Sequence, residues 1–258
     1  MSKCHLVIPD PHAHPQHDNE RATLLGNLIK DLKPDVVINL GDTADMPSLS
    51  SFDKGTKAFV GRNYSADINS HLDFQDKMWS PVRRTKRKLP RRVVLEGNHE
   101  HRIRKVVNSQ PEFEGTGFGV SFDDLDLKYY YDDVVEYEGN YPGVITIDGI
   151  QYAHFFLTGT SGRPISGEHT AHSLISKRHT SSTCGHIHIL DYHTGINGAG
   201  DRLHGLVAGV YQDYHSDWAG RINDFWWSGV VIKRNIDGKG NYDPQFVSLD
   251  YLRKYYAS

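Results

Sequence analysis

The chain contains the run Val36-Val37-Ile38-Asn39-Leu40-Gly41-Asp42-Thr43-Ala44-Asp45, in which a short apolar stretch leads directly into two carboxylates. Apolar stretches of this length that are rich in β-branched residues and bounded by turn formers are typical of buried strands. The run therefore predicts a strand from Val36 to Leu40 that delivers Asp42 to one end of a sheet.

Two other predicted strands lead into polar blocks in the same way. The stretch from Cys4 to Ile8 precedes Asp10-Pro11-His12, and the stretch from Arg92 to Leu95 precedes Gly97-Asn98-His99-Glu100. In open α/β sheets ligands bind beyond the carboxyl ends of the strands. We therefore expect Asp10, Asp42 and Asn98 to converge at one edge.

The remaining pattern indicates an α/β protein whose second half is more antiparallel. Leucines at helical spacing from Asn19 to Leu32, stopped by Lys33-Pro34, predict a βαβ opening. Residues 67–88 predict a longer helix, residues 168–177 a short helix and residues 158–167 a loop. Asp148-Gly149 predicts a hairpin between 144–147 and 150–153, and residues 230–234 and 245–249 predict two later strands.

Two later blocks complete a set of metal-seeking residues: His154, and Gly185-His186-Ile187-His188. A site that holds two cations close together needs a shared carboxylate with oxygen and imidazole ligands around it. The five blocks together could supply a two-metal hydrolytic site.

The five blocks, in this order, resemble the calcineurin-like metallophosphoesterase family, whose pattern runs D-x-H, G-D-x-x-D, G-N-H-D/E, H and G-H-x-H. The match spans roughly residues 10 to 188. The resemblance implies a four-layer αββα sandwich with two mixed β-sheets. It also implies a single domain over residues 1–258, with a motif core at about 3–190, an insertion at about 46–90 and a β-rich extension at about 191–258.

The same resemblance implies two metal sites that share Asp42. The first set of ligands is Asp10, His12, Asp42 and His188, and the second is Asp42, Asn98, His154 and His186. A bridging carboxylate would hold the ions roughly 3.5 to 4 Å apart, close enough to share an activated water. Mixed nitrogen and oxygen ligands suit two divalent transition-metal ions, manganese first, with iron, zinc and nickel as alternatives.

Three further residues receive catalytic roles by resemblance. His99 would act at the leaving group, Asp45 would be its carboxylate partner, and Arg102 would grip the phosphate. Asp45 has an alternative role as the cap of a helix after Pro47, and Arg102 has one as a solvated charge on a helix. The chain also departs from phosphoprotein phosphatases, which usually follow the second Asp with Arg-Gly where this chain has Met46-Pro47.

His154 is the least securely placed ligand, because the family tends to place Gly after this His and the chain has Phe155. His169, His172 and His179 are the rival candidates. We favour His154, since it ends the apolar segment from Ile150 to Ala153 as a ligand at a strand terminus should. Other histidines are interpreted as structural or surface residues: His5, His14, His71, His204 and His215.

Composition agrees with one enzyme domain in a reducing compartment. The 258 residues are 38% hydrophobic, enough for a sizeable core, and the formal net charge of −3 excludes a generally basic nucleic-acid coat. Cys4 and Cys184 imply no disulfide framework. The first strand begins without a signal-peptide pattern, and no stretch approaches a membrane span. We expect a cytoplasmic protein without a membrane partner, and the oligomeric state stays open.

The resemblance implies that the substrate is a phosphate ester, and nucleotides or nucleic acid are the leading class. The basic stretch 83–92 could follow a phosphodiester backbone, although a solvated helix face balanced by acidic clusters is slightly favoured. Aromatic residues could stack on bases, although core or interface packing is favoured for them: Tyr211, Tyr214, Trp218, Phe225, Trp226 and Trp227. The leading function is a phosphodiesterase or nuclease. The alternatives are a phosphomonoesterase, including a protein phosphatase, and a binding scaffold without catalysis.

Overall fold

The computed structural model describes residues 3–114 and 119–256. The strands in these ranges are β1 (Lys3–Ile8), β2 (Val36–Asn39), β3 (Arg91–Leu95), β4 (Asp133–Val135), β5 (Ile145–Ile147), β6 (Ile150–Tyr152), β7 (Leu157–Thr158), β8 (Arg163–Pro164), β9 (Ser181–Cys184), β10 (Leu190–Ile196), β11 (Arg202–Ala208), β12 (Gly229–Ile236) and β13 (Asp243–Ser248). The α-helices are α1 (Glu20–Leu32), α2 (Tyr64–Arg83), α3 (His101–Ser109), α4 (Leu127–Tyr130), α5 (Thr170–Arg178) and α6 (Leu249–Tyr256).

The strands form two mixed sheets and a short ribbon. The first sheet has the order β13-β12-β1-β2-β3-β4, in which β1 to β4 are parallel and β12 is antiparallel to β1 and β13. The second has the order β10-β11-β9-β6-β5, with β11, β9 and β6 parallel. The predicted pair of mixed sheets is confirmed.

Side chains that alternate along β1 show how the first sheet lies between two cores. Leu6 and Ile8 pack in a core that includes Leu25 of α1 and Phe74 of α2. Val7 points to the other face and packs in a second core with residues of the second sheet, such as Tyr152. Since successive side chains of a strand point to opposite faces, helices cover one face of the first sheet and the second sheet covers the other.

The helix α5 forms the fourth layer, on the outer face of the second sheet. The side chain of Arg178 in α5 donates a 2.8 Å hydrogen bond to Gln151 of β6. A Cβ on Gly205 of β11 would lie 2.0 Å from the carbonyl oxygen of Ala171 in α5, so the helix packs directly on that strand. The inner face meets the first sheet, where Lys233 contacts the hydroxyl of Thr183. The predicted αββα sandwich is confirmed.

Several predicted elements change in extent. The helix predicted over 67–88 runs from Tyr64 to Arg83, and the prediction is wrong for residues 84–88. The predicted strand 245–249 ends at Ser248, because Leu249 begins α6. The predicted loop 158–167 contains part of the ribbon formed by β7 and β8. The single-domain organisation stays a prediction, and the stretch after residue 190 supplies strands to both sheets.

Among the helices of the described segments, none combines the length and the apolar character that a membrane crossing requires.

Candidate metal centre

The loops at the carboxyl ends of five strands meet between the two sheets. Asp10 follows β1, Asp42 follows β2 and Asn98 follows β3 in the first sheet, while His154 follows β6 and His186 follows β9 in the second. Parallel strands end at the same edge of a sheet. The fold thereby brings the predicted ligands from separate strands into one place.

The first group of possible metal ligands is Asp10, His12 and His188, all of them buried. The Nε2 atoms of His12 and His188 lie 3.2 Å apart. Nε2 of His188 lies 3.3 Å from Oδ2 of Asp10, and Nε2 of His12 lies 3.8 Å from Oδ2 of Asp42. Three of the four ligands predicted for the first metal form one cluster, and the fourth borders it.

The second group is Asp42, His154 and His186. Nε2 of His154 lies 3.4 Å from Oδ2 of Asp42, 3.2 Å from Nδ1 of His186 and 2.9 Å from Oδ1 of Asn98. All four ligands predicted for the second metal therefore meet here. The rival histidines lie elsewhere, in the outer layer: His169 and His179 flank the two ends of α5 and His172 lies within it, and all three are exposed.

The atoms of these groups fit divalent cations. Oδ1 of Asp10 is buried and has no hydrogen-bond partner among the described residues, and an unpaired buried carboxylate oxygen is costly. Pairs of imidazole nitrogens face one another beside carboxylate oxygens, an arrangement that a shared cation would satisfy. A third group, His12, Asp42 and His99, also has its ligand atoms within reach of one ion.

The Nδ1 atoms of His154 and His12 make contacts that orient the two rings for metal binding through Nε2. Nδ1 of His154 donates a 3.0 Å hydrogen bond to the carbonyl oxygen of Leu40, and Nδ1 of His12 lies 3.0 Å from Oδ1 of Asp45. Partners of this kind fix the tautomer and leave Nε2 free to face a metal. Asp45 therefore supports His12 as well as His99, a role that the sequence did not indicate.

Electrostatics concentrate negative charge at Asp42. Burial alone would raise the pKa of Asp42, but the charges of His154 and His99 outweigh burial and hold it well below its usual range. Burial likewise lowers the pKa of His154, but the Asp42 carboxylate raises it to about 9. Burial and the His154 charge lower the pKa of His186 to about 4. Asp42 is therefore ionised and able to accept cations.

His99, Asp45 and Arg102 form a group beside the metal ligands. Nδ1 of His99 donates to the carbonyl oxygen of Asp45 at 2.6 Å and lies 3.2 Å from its Oδ1. Burial is the largest single influence and lowers the pKa of His99, as does the charge of Arg102, but the charge of Asp42 and the hydrogen bond and charge of Asp45 together give a net upward shift. Asp45 does not cap the turn after Pro47, where Asp67 accepts the hydrogen bond from the Ser48 amide.

Arg102 is held in place rather than solvated. Its Nη1 donates to the carbonyl oxygens of Asp45 and Met46 at 2.9 and 3.1 Å, and its Nη2 lies 3.1 Å from Nε2 of His99. The contact with Nε2 suits a neutral imidazole. Arg102 must therefore move away from Nε2 before His99 can be protonated there.

The backbone is strained at the ligands. Left-handed φ values between 36° and 68° occur at five of the seven predicted ligands: Asp10, His12, Asp42, His186 and His188. Such conformations cost on the order of 1–3 kcal/mol each for residues other than glycine, and they persist where the surroundings impose them. Gly97 and Gly185 allow close approach, because a Cβ would lie 2.2 Å from Oδ1 of Asp42 and Oδ1 of Asp10, respectively.

Sequence reasoning missed two buried residues that hold the ligand loops. Glu100 accepts hydrogen bonds from the amides of Asp42, Gly97 and Ala44 and from the Thr43 hydroxyl, at 2.8–3.0 Å. Arg21 donates to the carbonyl oxygens of Pro11 at 2.9 Å and His12 at 3.3 Å. Glu100 lies within the Gly97-Asn98-His99-Glu100 block, although the resemblance assigned it no role. Arg21 lies in an ordinary helical stretch and gives no signal.

The basic stretch 83–92 lies away from the centre. Arg91 and Arg92 occupy the start of β3, opposite the end that leads to Asn98, and they pair with Asp133 at 2.8 Å and Asp132 at 2.6 Å. These pairs agree with the slightly favoured interpretation that acidic residues balance the stretch, whereas residues 84–88 are not on a helix.

The comparison with protein families agrees with this geometry. The profile of a family described as calcineurin-like phosphoesterase matches residues 6–228. No curated protein matches the sequence. A crystal structure of TT1561 of Thermus thermophilus is 11% identical, with 96% of this chain and 100% of that chain covered and a TM-score of 0.37. Another crystal structure is 12% identical at the same coverage, with a TM-score of 0.39.

Proposed function

The chain belongs to the calcineurin-like phosphoesterase family, whose members are metal-dependent hydrolases of phosphate esters, and from this premise we propose that it is a phosphodiesterase that uses two divalent transition-metal ions. Nucleotides or nucleic acid are the proposed substrate class. Manganese is the first choice of metal, and iron, zinc or nickel would suit the same nitrogen and oxygen ligands.

The observation that supports this proposal most directly is the position of Asp42 between the two ligand groups. Its Oδ2 lies 3.4 Å from Nε2 of His154 and 3.8 Å from Nε2 of His12, which belong to different groups. One carboxylate oxygen can therefore serve both. Two cations bound there would supply Lewis-acid polarisation of the phosphoryl oxygens and activation of a water.

The protein's own residues would act on the other side of the phosphorus atom. His99, half-buried and held by Asp45, is placed to give a proton to the departing oxygen, or to stabilise it. Arg102, adjacent to His99, would bind a phosphoryl oxygen through its guanidinium group. When Arg102 turns towards the substrate, Nε2 of His99 becomes free to carry the proton.

A diester is favoured over a monoester by the charge around Arg102. The residue after Asp45 is the buried Met46, where phosphoprotein phosphatases carry a second arginine. A monoester dianion needs more compensating charge than a diester monoanion. Arg102 itself keeps phosphomonoester hydrolysis as the second candidate. A cytoplasmic location is also proposed, supported by the free thiols of Cys4 and Cys184.

The test compares manganese-dependent hydrolysis of bis-p-nitrophenyl phosphate with that of p-nitrophenyl phosphate. The Asp42→Asn protein, purified in parallel, is the blank for contaminating phosphatase. We expect a higher kcat/KM for the diester. A higher value for the monoester would favour a phosphatase, and metal-loaded protein that is inert on both would favour a binding scaffold.

A further inference from the structure

A half-buried aromatic ring lies beside the predicted ligand His188, and the same loop carries two exposed aromatic side chains. The ring of Trp226 stands perpendicular to that of His188, with 4.4 Å between centroids, and Trp218 lies 5.8 Å from Trp226. Trp218 is 73% exposed and Phe225 is 75% exposed. We call Trp218, Phe225 and Trp226 the aromatic ledge. Large aromatic side chains grouped in water are unfavourable unless they bind something.

The loop that carries the ledge is fixed by internal hydrogen bonds. The buried side chain of Asn223 donates to the carbonyl oxygens of Ser216 and Gly220 and accepts from the Ser216 amide, at 2.8–3.0 Å. The amide of Trp227 donates to the carbonyl oxygen of His188 at 3.0 Å, which ties the loop to the metal centre. The ledge is therefore displayed in a defined position next to the ligands.

Core packing, which the sequence favoured for this set of aromatic residues, applies to only part of it. Tyr211 is fully buried, and Trp227 packs against the core between the sheets. Trp218 and Phe225 lie outside both cores. The favoured expectation is packing in a core or in an oligomer interface; its core part is wrong for these two residues, and its interface part stays a prediction.

We infer that the ledge binds one nucleobase of the substrate, so that the scissile ester belongs to a nucleotide phosphodiester. This inference rests on the proposed function and names the part of the substrate that the ledge recognises. Trp226 touches a ligand of the first metal, so a phosphate at the metals lies within one nucleotide of the ring. Every base has a π-face that stacks on an aromatic ring.

Charge around the ledge indicates that a single base is bound rather than a long backbone. The same loop carries two exposed carboxylates, Asp217 and Asp224, and one exposed cation, Arg221, so its net charge is negative and would disfavour further phosphates. The basic stretch 83–92 lies at the other end of β3 and does not continue the ledge. A small diester, or the terminal nucleotide of a strand, fits this distribution.

The test uses two diesters that release the same leaving group from the manganese-loaded protein: thymidine 5′-(p-nitrophenyl phosphate) and methyl p-nitrophenyl phosphate. The readout is the ratio of their kcat/KM values. We expect the ratio to fall by about 10-fold or more in Trp218→Leu, within the range that loss of one base stack produces. Trp226→Leu should act likewise, and Trp226→Tyr should retain most of the ratio.

Tyr129→Leu is the matched control, because Tyr129 is 57% exposed in α4, which precedes β4 at the end of the sheet opposite the metal centre. It should leave the ratio and both rates unchanged. Metal content is measured for each Trp226 variant, since Trp226 touches His188, whereas Trp218 provides a variant without that contact. An unchanged ratio in Trp218→Leu overturns the inference. An unchanged ratio together with conversion of a dimer to a monomer assigns the ledge to a second copy of the chain.

Failure of the proposed function gives a different result, namely no p-nitrophenol from either diester. In that case calorimetric titration of the metal-loaded protein compares a thymidine phosphonate, which resists hydrolysis, with its base-free counterpart. Tighter binding of the thymidine compound that is lost in Trp218→Leu supports the ledge. Equal affinities overturn it.

Discussion

The backbone amide of Asp42 donates a 3.0 Å hydrogen bond to the buried carboxylate of Glu100, which joins the loop after β2 to the loop after β3. Glu100 accepts three further hydrogen bonds, from Gly97, Thr43 and Ala44. Asp42 is thus positioned by a residue that does not itself reach the candidate ligand atoms.

Glu100→Gln should lower the free energy of unfolding by about 2–4 kcal/mol, because the amide group presents donors to backbone donors and leaves buried N–H groups unpaired. Urea unfolding of metal-free protein measures this change. Glu112→Gln, at an exposed position, is the control and should unfold like the wild type. Equal stability of the two variants would show that the four hydrogen bonds contribute little.

Asp42→Asn should weaken the binding of both metals and reduce diester hydrolysis by at least about 100-fold. Loss of a residue that only orients a metal ligand already costs up to about 100-fold, and Asp42 is proposed to be a ligand itself. The change removes the carboxylate charge that lies between His154 and His12. Elemental analysis after dialysis against limiting manganese measures the bound metal, with Asp250→Asn, at an exposed position near the start of α6, as the control. Retention of two metals per chain by Asp42→Asn would remove the bridging role.

His99→Ala should keep the metal content of the wild type while kcat falls by roughly 10² to 10⁴-fold, the usual range for a lost general acid. The reason is that Nε2 of His99 contacts Arg102 at 3.1 Å, whereas Nε2 of His12 faces the predicted ligand His188 at 3.2 Å. Both Nε2 atoms lie 3.8 Å from Oδ2 of Asp42, so their other contacts distinguish them. Loss of metal from this variant would instead assign His99 to the third possible ligand group.

The sequence predicted the elements that depend on local pattern, and it missed relationships that depend on packing between distant segments. The strands β1, β2 and β3 and the helix α1 follow from apolar runs and helical spacing. Glu100 could not be assigned, since its donors become neighbours only when β2 pairs with β3. The pairing of Arg91 with Asp133 depends likewise on β3 meeting β4. The site residues remain predictions, although the fold brings the proposed ligands together.

Backbone strain at His188 predicts an effect on stability that depends on the main chain and not on the loss of the imidazole. Its φ of 66° suits glycine but not alanine. His188→Gly should therefore be more stable than His188→Ala by on the order of 1 kcal/mol in metal-free protein, measured by urea unfolding. At His154, which is not among the residues with positive φ, the order should reverse, with Ala more stable than Gly. The same order at both positions would argue against strain at His188.

His5 should make the protein sensitive to mild acid. It is fully buried at the start of β1, where Nδ1 contacts the Tyr152 hydroxyl at 2.8 Å and Nε2 contacts Asp148 at 3.0 Å. Burial, assisted by the Lys233 charge, lowers the pKa of His5 from 6.5 to about 4. Between pH 6.5 and pH 4 the unfolded chain therefore binds a proton at His5 that the folded protein does not bind. The stability of the fold is retained above pH 6.5 and falls as the pH drops from 6.5 towards 4.

Between about pH 7 and about pH 5, the free energy of unfolding of the metal-free wild type should fall by on the order of 1 kcal/mol more than that of His5→Gln. Urea unfolding at both pH values measures this difference, with the exposed His215→Gln as control. Parallel losses in wild type and His5→Gln would mean that His5 titrates alike in the folded and unfolded chains.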